Sequence, residues 1–370
     1  MLPEITHVEL PKFIDLAVKT GENLLIVGEP GIGKTVGVNA YKDENGFDLE
    51  LSHPAVEDPT TIQGFPAKTM KNVAAPVDEL DAMLGTTSEE KLVEAATFLP
   101  FGRQLRLMNV TKPTLWFIDD LGQAPYSMQA GLMQYLEGGR LNDFTLSPHV
   151  HIIAATNSRE DKAGVRGLLE PVKSRFGLIV KLKVDVDASR EYMYAKNMPH
   201  VITDFWNYDP ASLHAWEPNL GMEKSPCPRL WEKLGKFILA CPTLDPAFFE
   251  KMCIATIGEK YGRKFAAFCR VYAKLPSYND VVADPENMPI DHPADIRYAI
   301  MGMLANKGKV EHSERLFTYV KKFAKEYQII FMRTLSAGKS PLIDSRAART
   351  WCAENAGIYL SALERANTAF

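Results

Sequence analysis

The stretch Gly28 to Thr35 reads GEPGIGKT and fits the pattern G-x-x-x-x-G-K-[ST] at every position. Four apolar residues precede it, Leu24-Leu25-Ile26-Val27, as a buried parallel strand requires. Val36-Gly37-Val38-Asn39-Ala40 follows and reads as the first turn of a helix. Between a strand and a helix, glycines let the chain curl so that backbone N–H groups point inward at phosphate oxygens. The helix adds the positive end of its dipole. Gly28, Glu29, Pro30, Gly31, Ile32 and Gly33 are therefore the expected cradle of a phosphate chain. Lys34 would reach the outer phosphates, and the Thr35 hydroxyl would ligate magnesium.

Working outward, four further apolar runs read as strands: Phe47 to Leu51, Leu115 to Ile118, His151 to Ala155 and Leu178 to Leu182. All but the first are nearly continuous in apolar residues, as when helices cover both faces of a parallel sheet. Helical patterns lie between them. Phe13 to Lys19 precedes the loop strand, and Met128, Leu132, Met133 and Leu136 form an apolar stripe stopped by Gly138-Gly139. These methionines read as core filling. The fold class expected is α/β, with a doubly wound parallel-sheet core over residues 1–186. An insertion at about 61–112 is longer than a plain strand–helix–strand link needs. It carries Gly64-Phe65-Pro66 and Phe98 to Arg103, aromatic and glycine-bearing pieces suited either to a partner contact or to a packed surface insertion.

From about Asp187 the strand-like runs stop. Helices are predicted over Arg229 to Leu239, Pro246 to Tyr261, Phe265 to Leu275, Ala294 to Asn306, Ser313 to Leu335 and Ser345 to Ala366. They read as a helical second domain over 187–306 and a helical C-terminal region over 307–370.

Whole-chain properties narrow the function. The chain has 370 residues and a formal charge of -4, from 42 basic and 46 acidic residues. That balance argues against a dedicated nucleic-acid binder, which carries a basic surplus. No apolar stretch approaches the roughly 18 residues that a bilayer span needs. The opening MLPEITHVEL has no basic region followed by an apolar run, so no secretory signal is read there and a cytoplasmic protein is expected. Cys227, Cys241, Cys253, Cys269 and Cys352 form no C-x-x-C pair, which points to reduced thiols.

Two strand ends carry chemistry. Leu115-Trp116-Phe117-Ile118 ends in Asp119-Asp120. A parallel strand delivers its C-terminal residues to the ligand crevice. Asp119 is the expected holder of the magnesium water shell, and Asp120 would orient or activate the attacking water. His151 to Ala155 leads to Thr156-Asn157, which puts an amide at another strand tip, able to bond both the water and the outer phosphate.

The order GEPGIGKT, LWFIDD, AATN and then Ser174-Arg175-Phe176 resembles an AAA+ ATPase. Within that class, LWFIDDLGQAPYSMQAGLMQYLEGGRL is similar to the MoxR and dynein-related branch. The resemblance covers roughly residues 10 to 240. It implies a P-loop NTPase core, a helical lid, ATP and Mg2+ as cofactors, and ATP hydrolysis in a homo-oligomeric ring, with six subunits expected. By that similarity Lys34 and Thr35 match the Walker A lysine and hydroxyl, Asp119 and Asp120 the Walker B pair, and Asn157 sensor 1. Arg175 matches the arginine finger, which acts on the neighbouring subunit's nucleotide, and Arg229 the sensor 2 arginine that opens a lid helix. The chain departs from the pattern at Asp120, where the branch carries glutamate. The resemblance also implies a hairpin at Arg140 to Leu146, turning at Asn142-Asp143, and a second protrusion around Gly64 to Phe101, both lining or capping a ring pore. Remodelling of a partner protein follows, one frequent partner class being proteins with a von Willebrand factor A domain. Two other readings use the same core: a nucleic-acid motor or loader, and a nucleotide-switched scaffold with slow hydrolysis.

Overall fold

The computed structural model describes residues 2–74, 90–142, 144–157, 167–216, 222–272 and 275–368. The chain divides into two compact units. One comprises Met1–Pro3, Pro11–Val27 and Thr35–Lys181; the other comprises Glu4–Leu10, Gly28–Lys34 and Leu182–Phe370.

The first unit is built on a parallel sheet. Its strands β2 (Leu24–Val27), β3 (Asp48–Ser52), β6 (Thr114–Ile118), β9 (Val150–Thr156) and β10 (Leu178–Leu182) lie side by side in the order β10-β2-β9-β6-β3. Every neighbouring pair is parallel. All five residues of β6 are buried, as both-face coverage by helices demands. One face packs Leu25, Trp116, Ile118, Ile152 and Ala154 against Met128, Leu132 and Leu136 of the helix Tyr126–Gly138. Met128 is core and Met133 packs against it, as the apolar stripe implies.

Between β3 and β6 stands an antiparallel ribbon of β4 (Phe65–Ala74) and β5 (Glu90–Leu99), in register from Phe65 opposite Leu99 to Ala74 opposite Glu90. The helix Arg103–Asn109 follows and ties the ribbon to the sheet. Arg103 places Nη1 and Nη2 at 2.6 and 2.7 Å from the two oxygens of Glu57, and Arg106 grips Glu50 at 2.7 and 3.0 Å. The smaller hairpin joins β7 (Arg140–Leu141) to β8 (Phe144–Thr145), with Asn142 at φ 53°. Asp143 lies outside the described residues. Leu141 and Phe144 point inward, and Asn142 Nδ2 donates to the Gln63 carbonyl at 3.2 Å.

The second unit contains the short strand β1 (Glu4–Ile5) and a helical body. One apolar core gathers Phe205, Trp206, Trp231 and Phe265; another gathers Tyr319, Phe331 and Trp351. The helix Ala294–Lys307 supplies Ala299 to the first and Ile300, Met301 and Leu304 to the second. It is buried all round over 299–305, which explains why it lacks a polar stripe. Two predicted helices are interrupted. The expected helix from Pro246 to Tyr261 ends at Ile257, because Gly258 sits at φ 86°, and a new helix, Glu259–Tyr272, starts beyond it. The expected helix over 313–335 becomes Ser313–Lys321 and Lys325–Ala337, with Gln328 Nε2 donating back to the Lys321 and Phe323 carbonyls across the break.

A buried carboxyl joins three helices of this unit. Asp204 is fully buried; Tyr272 Oη–H donates to its Oδ2 at 2.9 Å and Asn306 Nδ2 to its Oδ1 at 3.4 Å. Gly302 approaches so closely that a Cβ there would stand 1.9 Å from Oδ1. Burial pushes the Asp204 pKa up to about 8, against the opposing pull of the Tyr272 bond and Arg190. A folded-state pKa above the unfolded value of 3.8 means that this group's contribution is whole below that value and is lost as pH rises through about 8. Asp204→Asn removes the titration. The variant's melting temperature should therefore fall less between pH 5 and pH 9 than the parent's, and an equal fall in both proteins contradicts the assignment.

Candidate functional site

Parallel register brings the C-terminal ends of β2, β9 and β6 to one edge of the sheet. Val27 lies opposite Thr156, and Ala154 opposite Ile118. The residues that follow the last two strands, Asn157 and Asp119-Asp120, are therefore neighbours at that edge. Thr35 joins them from the first turn of the helix Lys34–Asn45: its Oγ1–H donates to Asp119 Oδ2 at 2.9 Å. β3 braces the same point. The Asp119 N–H donates to the Ser52 carbonyl at 2.8 Å, and Trp116 Nε1–H donates to Ser52 Oγ at 2.9 Å.

Asp120 has an unusual backbone for a residue with a Cβ, with φ 55° and ψ 33°, the left-handed region. Its N–H donates to Asp119 Oδ1 at 2.9 Å, and the turn Leu121–Gln123 follows at once. That turn is pinned to β9 by the Gly122 N–H, which donates to Thr156 Oγ1 at 3.2 Å. The Asp120 carboxylate faces two amides. Gln123 Nε2 lies 3.4 Å and Asn157 Nδ2 3.5 Å from Oδ1. Asn157 is 7% exposed, so it is a buried amide aimed at the carboxylate rather than a surface turn residue.

The loop belongs to the second unit. Lys34 Nζ, buried, donates to the Gly28 and Glu29 carbonyls at 2.6 and 3.0 Å, folding back over the loop. Gly31 and Gly33 have φ of 77° and 100°. At Gly31 glycine is needed twice over: for that angle, and because a Cβ would stand 2.6 Å from Cys227 Sγ. The helix Pro228–Ala240 starts there, and the Arg229 N–H donates to the Gly31 carbonyl at 3.2 Å. Thus Arg229 opens a helix that touches the loop. Three contacts here have no signature in the sequence. Cys227 fills the hollow above Gly31. His214 Nε2 lies 2.9 Å from Glu29 Oε2. His7 Nε2 lies 2.8 Å from the Ile32 carbonyl and must carry the proton, since a carbonyl only accepts. Burial lowers the His7 pKa, which keeps the ring neutral.

Arg175 stands apart from the Thr35–Asp119–Asp120–Asn157 group of its own chain. Its carbonyl accepts from Asn23 Nδ2 at 3.1 Å, and Asn23 directly precedes β2. Arg175 therefore lies at the opposite edge of the sheet from the strand-end carboxylates.

The donor set fits magnesium. A hydroxyl and a carboxylate, both hard oxygen ligands, stand together, and Mg2+ is usually held by one or two such groups plus water and phosphate oxygens. Among the described residues no group of three or more His, Cys, Asp or Glu forms a metal cage. No helix of the described residues is long and apolar enough to cross a membrane.

The parallel sheet with carboxylates after β6, and the glycine loop that follows β2 in the sequence, define the class of protein: an α/β fold of the P-loop kind, with a helical C-terminal region. Solved structures similar to this chain include RuvB of Thermotoga maritima, a Holliday junction branch migration motor, at 13% identity over 76% of each chain with a TM-score of 0.37. A point mutant of that same protein gives 13% identity over 76% of this chain and 74% of that one, with a TM-score of 0.38. NtrX from Brucella abortus in complex with ADP gives 14% identity over 98% of this chain and 67% of that one, with a TM-score of 0.33. No family model and no curated protein matches the chain.

The left-handed backbone at Asp120 makes a prediction about its identity. Aspartate and asparagine enter this region far more readily than glutamate. Asp120→Glu should add strain of about 1 kcal/mol and lower the thermal midpoint by a few degrees, while Asp120→Asn keeps it. Calorimetry that finds the glutamate variant as stable as the parent contradicts this.

Proposed function

We propose that this protein is an ATP-hydrolysing AAA+ protein of MoxR-like type, working as a ring, with six copies expected, to remodel or activate a partner protein. The observation that carries the reading is the 2.9 Å bond between Thr35 and Asp119, with Asp120 and Asn157 beside it, directly after a complete GEPGIGKT loop. Residues 1–186 are the proposed nucleotide-binding core, 187–306 the lid and 307–370 a C-terminal region. Mg2+, held by Thr35 and Asp119, supplies charge neutralisation at the phosphates when bound.

The chain's own groups do the rest. The loop from Gly28 to Gly33 binds phosphate oxygens through backbone N–H groups, and Lys34 exchanges its present carbonyl partners for the outer phosphates. Asp120 orients the attacking water and takes its proton, while Asn157 fixes the carboxylate and bonds the terminal phosphate. Arg229 reports the nucleotide to the lid. Arg175, remote from its own site, serves the site of a neighbouring copy. Closure on ATP and release after hydrolysis move the two hairpins against the client. A partner bearing a von Willebrand factor A domain is the first client class to test.

The scaffold reading has one observation in its favour. The Asp120 carboxylate is shorter than glutamate and faces two amides, an arrangement that slows water activation. Nucleotide binding and phosphate release, measured with Mg2+ and ATP, separate the possibilities. Lys34→Ala should abolish binding. Asp120→Asn should keep binding and lower turnover by about 10²-fold or more. Arg175→Ala should keep binding and lower turnover by about 10³-fold or more. Full binding in Lys34→Ala overturns the proposal, turnover unchanged in Asp120→Asn favours the scaffold, and DNA-stimulated hydrolysis favours a nucleic-acid motor.

A further inference from the structure

Arg175 is held more firmly than a surface arginine ordinarily is. Its Nε and Nη2 both donate to Glu137 Oε2, at 3.0 and 2.7 Å, and its Nη1 donates to the Pro171 carbonyl at 2.6 Å. Its main chain is fixed as well. Asn23 Nδ2 bridges the Leu136 carbonyl at 2.6 Å and the Arg175 carbonyl at 3.1 Å. One amide at the start of β2 therefore locks the last turn of the Tyr126–Gly138 helix, which carries Glu137, to the turn that carries Arg175. An exposed ion pair adds little stability, and immobilising an arginine costs side-chain entropy. Stability alone is a poor reason for so many restraints on one side chain.

The pattern of bonds supplies another reason. A guanidinium has five N–H donors. The three bonds use one on Nε, one on Nη1 and one on Nη2. One N–H on each terminal nitrogen is left for a further acceptor, and paired donors of this kind suit phosphate oxygens. The Arg175 side chain is 25% exposed, so it is not sealed in the interior.

We infer that Glu137 is a positioning residue that presents Arg175 to the nucleotide of an adjacent copy, with Asn23 fixing the main chain behind it. This rests on the role proposed for Arg175 above. Glu137 sets the plane and direction of the guanidinium before the second copy arrives, and the entropy of ordering is spent in the free subunit.

Mixing full-length variants tests this, read by phosphate release from Mg-ATP. Glu137→Ala should lower kcat on the order of 10- to 100-fold with the KM for ATP unchanged. Glu137→Gln, which keeps an acceptor oxygen, should regain most of the loss. Mixed with Asp120→Asn, whose arginine is intact, Glu137→Ala should regain turnover, because its own site is sound and receives a well-held arginine. Mixed with Arg175→Ala, it should not. Wild-type kcat in Glu137→Ala overturns the inference, as does rescue by Arg175→Ala but not by Asp120→Asn, which would place the damage in the variant's own site. Circular dichroism shows whether the alanine variant folds; if it does not, the glutamine variant and its mixtures carry the test, and a glutamine variant as inactive as Arg175→Ala counts against the inference. Should Arg175→Ala itself turn over normally, the underlying reading fails, an outcome distinct from failure of the Glu137 role alone.

Discussion

The bond from Thr35 to Asp119 spans a gap in the sheet. The strand that leads to Thr35 is β2 and the strand that ends at Asp119 is β6, and β9 lies between them. With strands about 4.8 Å apart, the two are separated by close to 10 Å at their bases. Only the turn into the helix that begins at Lys34 brings the threonine hydroxyl back across that distance. The intervening strand β9 ends at Thr156, so Asn157 follows at the same edge and faces Asp120. The order β2-β9-β6 is thus what gathers an alcohol, two carboxylates and an amide from three separate segments. Any rearrangement of strand order would scatter them.

The same edge stores backbone strain. Asp120 is left-handed although it has a Cβ, a conformation that persists only where the surroundings over-determine it. Here Asp119 takes the Asp120 N–H, Thr156 takes the Gly122 N–H, and Gln123 faces the carboxylate. A fully buried glutamine extends the bracing: Gln129 Nε2 bonds the Ala124 and Gly167 carbonyls, and its Oε1 accepts the Leu169 N–H. The turn after β6 is therefore fixed from both ends. Aspartate suits that turn, which a glutamate would enter less readily.

Much of this was legible beforehand, for identifiable reasons. Buried parallel strands are written as continuous apolar runs, so β2, β6, β9 and β10 announce themselves. A phosphate loop needs glycines and a lysine at set intervals, so GEPGIGKT is readable without neighbours. Features set by distant partners are not. Nothing near Gly31 says that Cys227 will press on it, because the two are joined only by the folding of the helical unit. The apolar pattern runs straight through Gly258 and through residues 322–324, yet both helices break there, the second under the side chain of Gln328. Glu137 carries no motif of its own. Its meaning depends on a turn 38 residues later.

Distance then decides what Arg175 can be. β2 has four residues, so its two ends lie about 10 Å apart. Asn23 holds the Arg175 main chain at one end, while Thr35, Asp119 and Asn157 collect at the other. An arginine reaches about 7 Å from its Cα. No rotamer of Arg175 spans that separation within one copy. The residue is either a surface strut or a group meant for another molecule. A strut needs one good partner, whereas Arg175 has a carboxylate, a carbonyl and a bridged main chain, with one N–H left over on each terminal nitrogen. Restraint on one side of a guanidinium combined with unused donors on the other is the arrangement that the role proposed for Arg175 calls for.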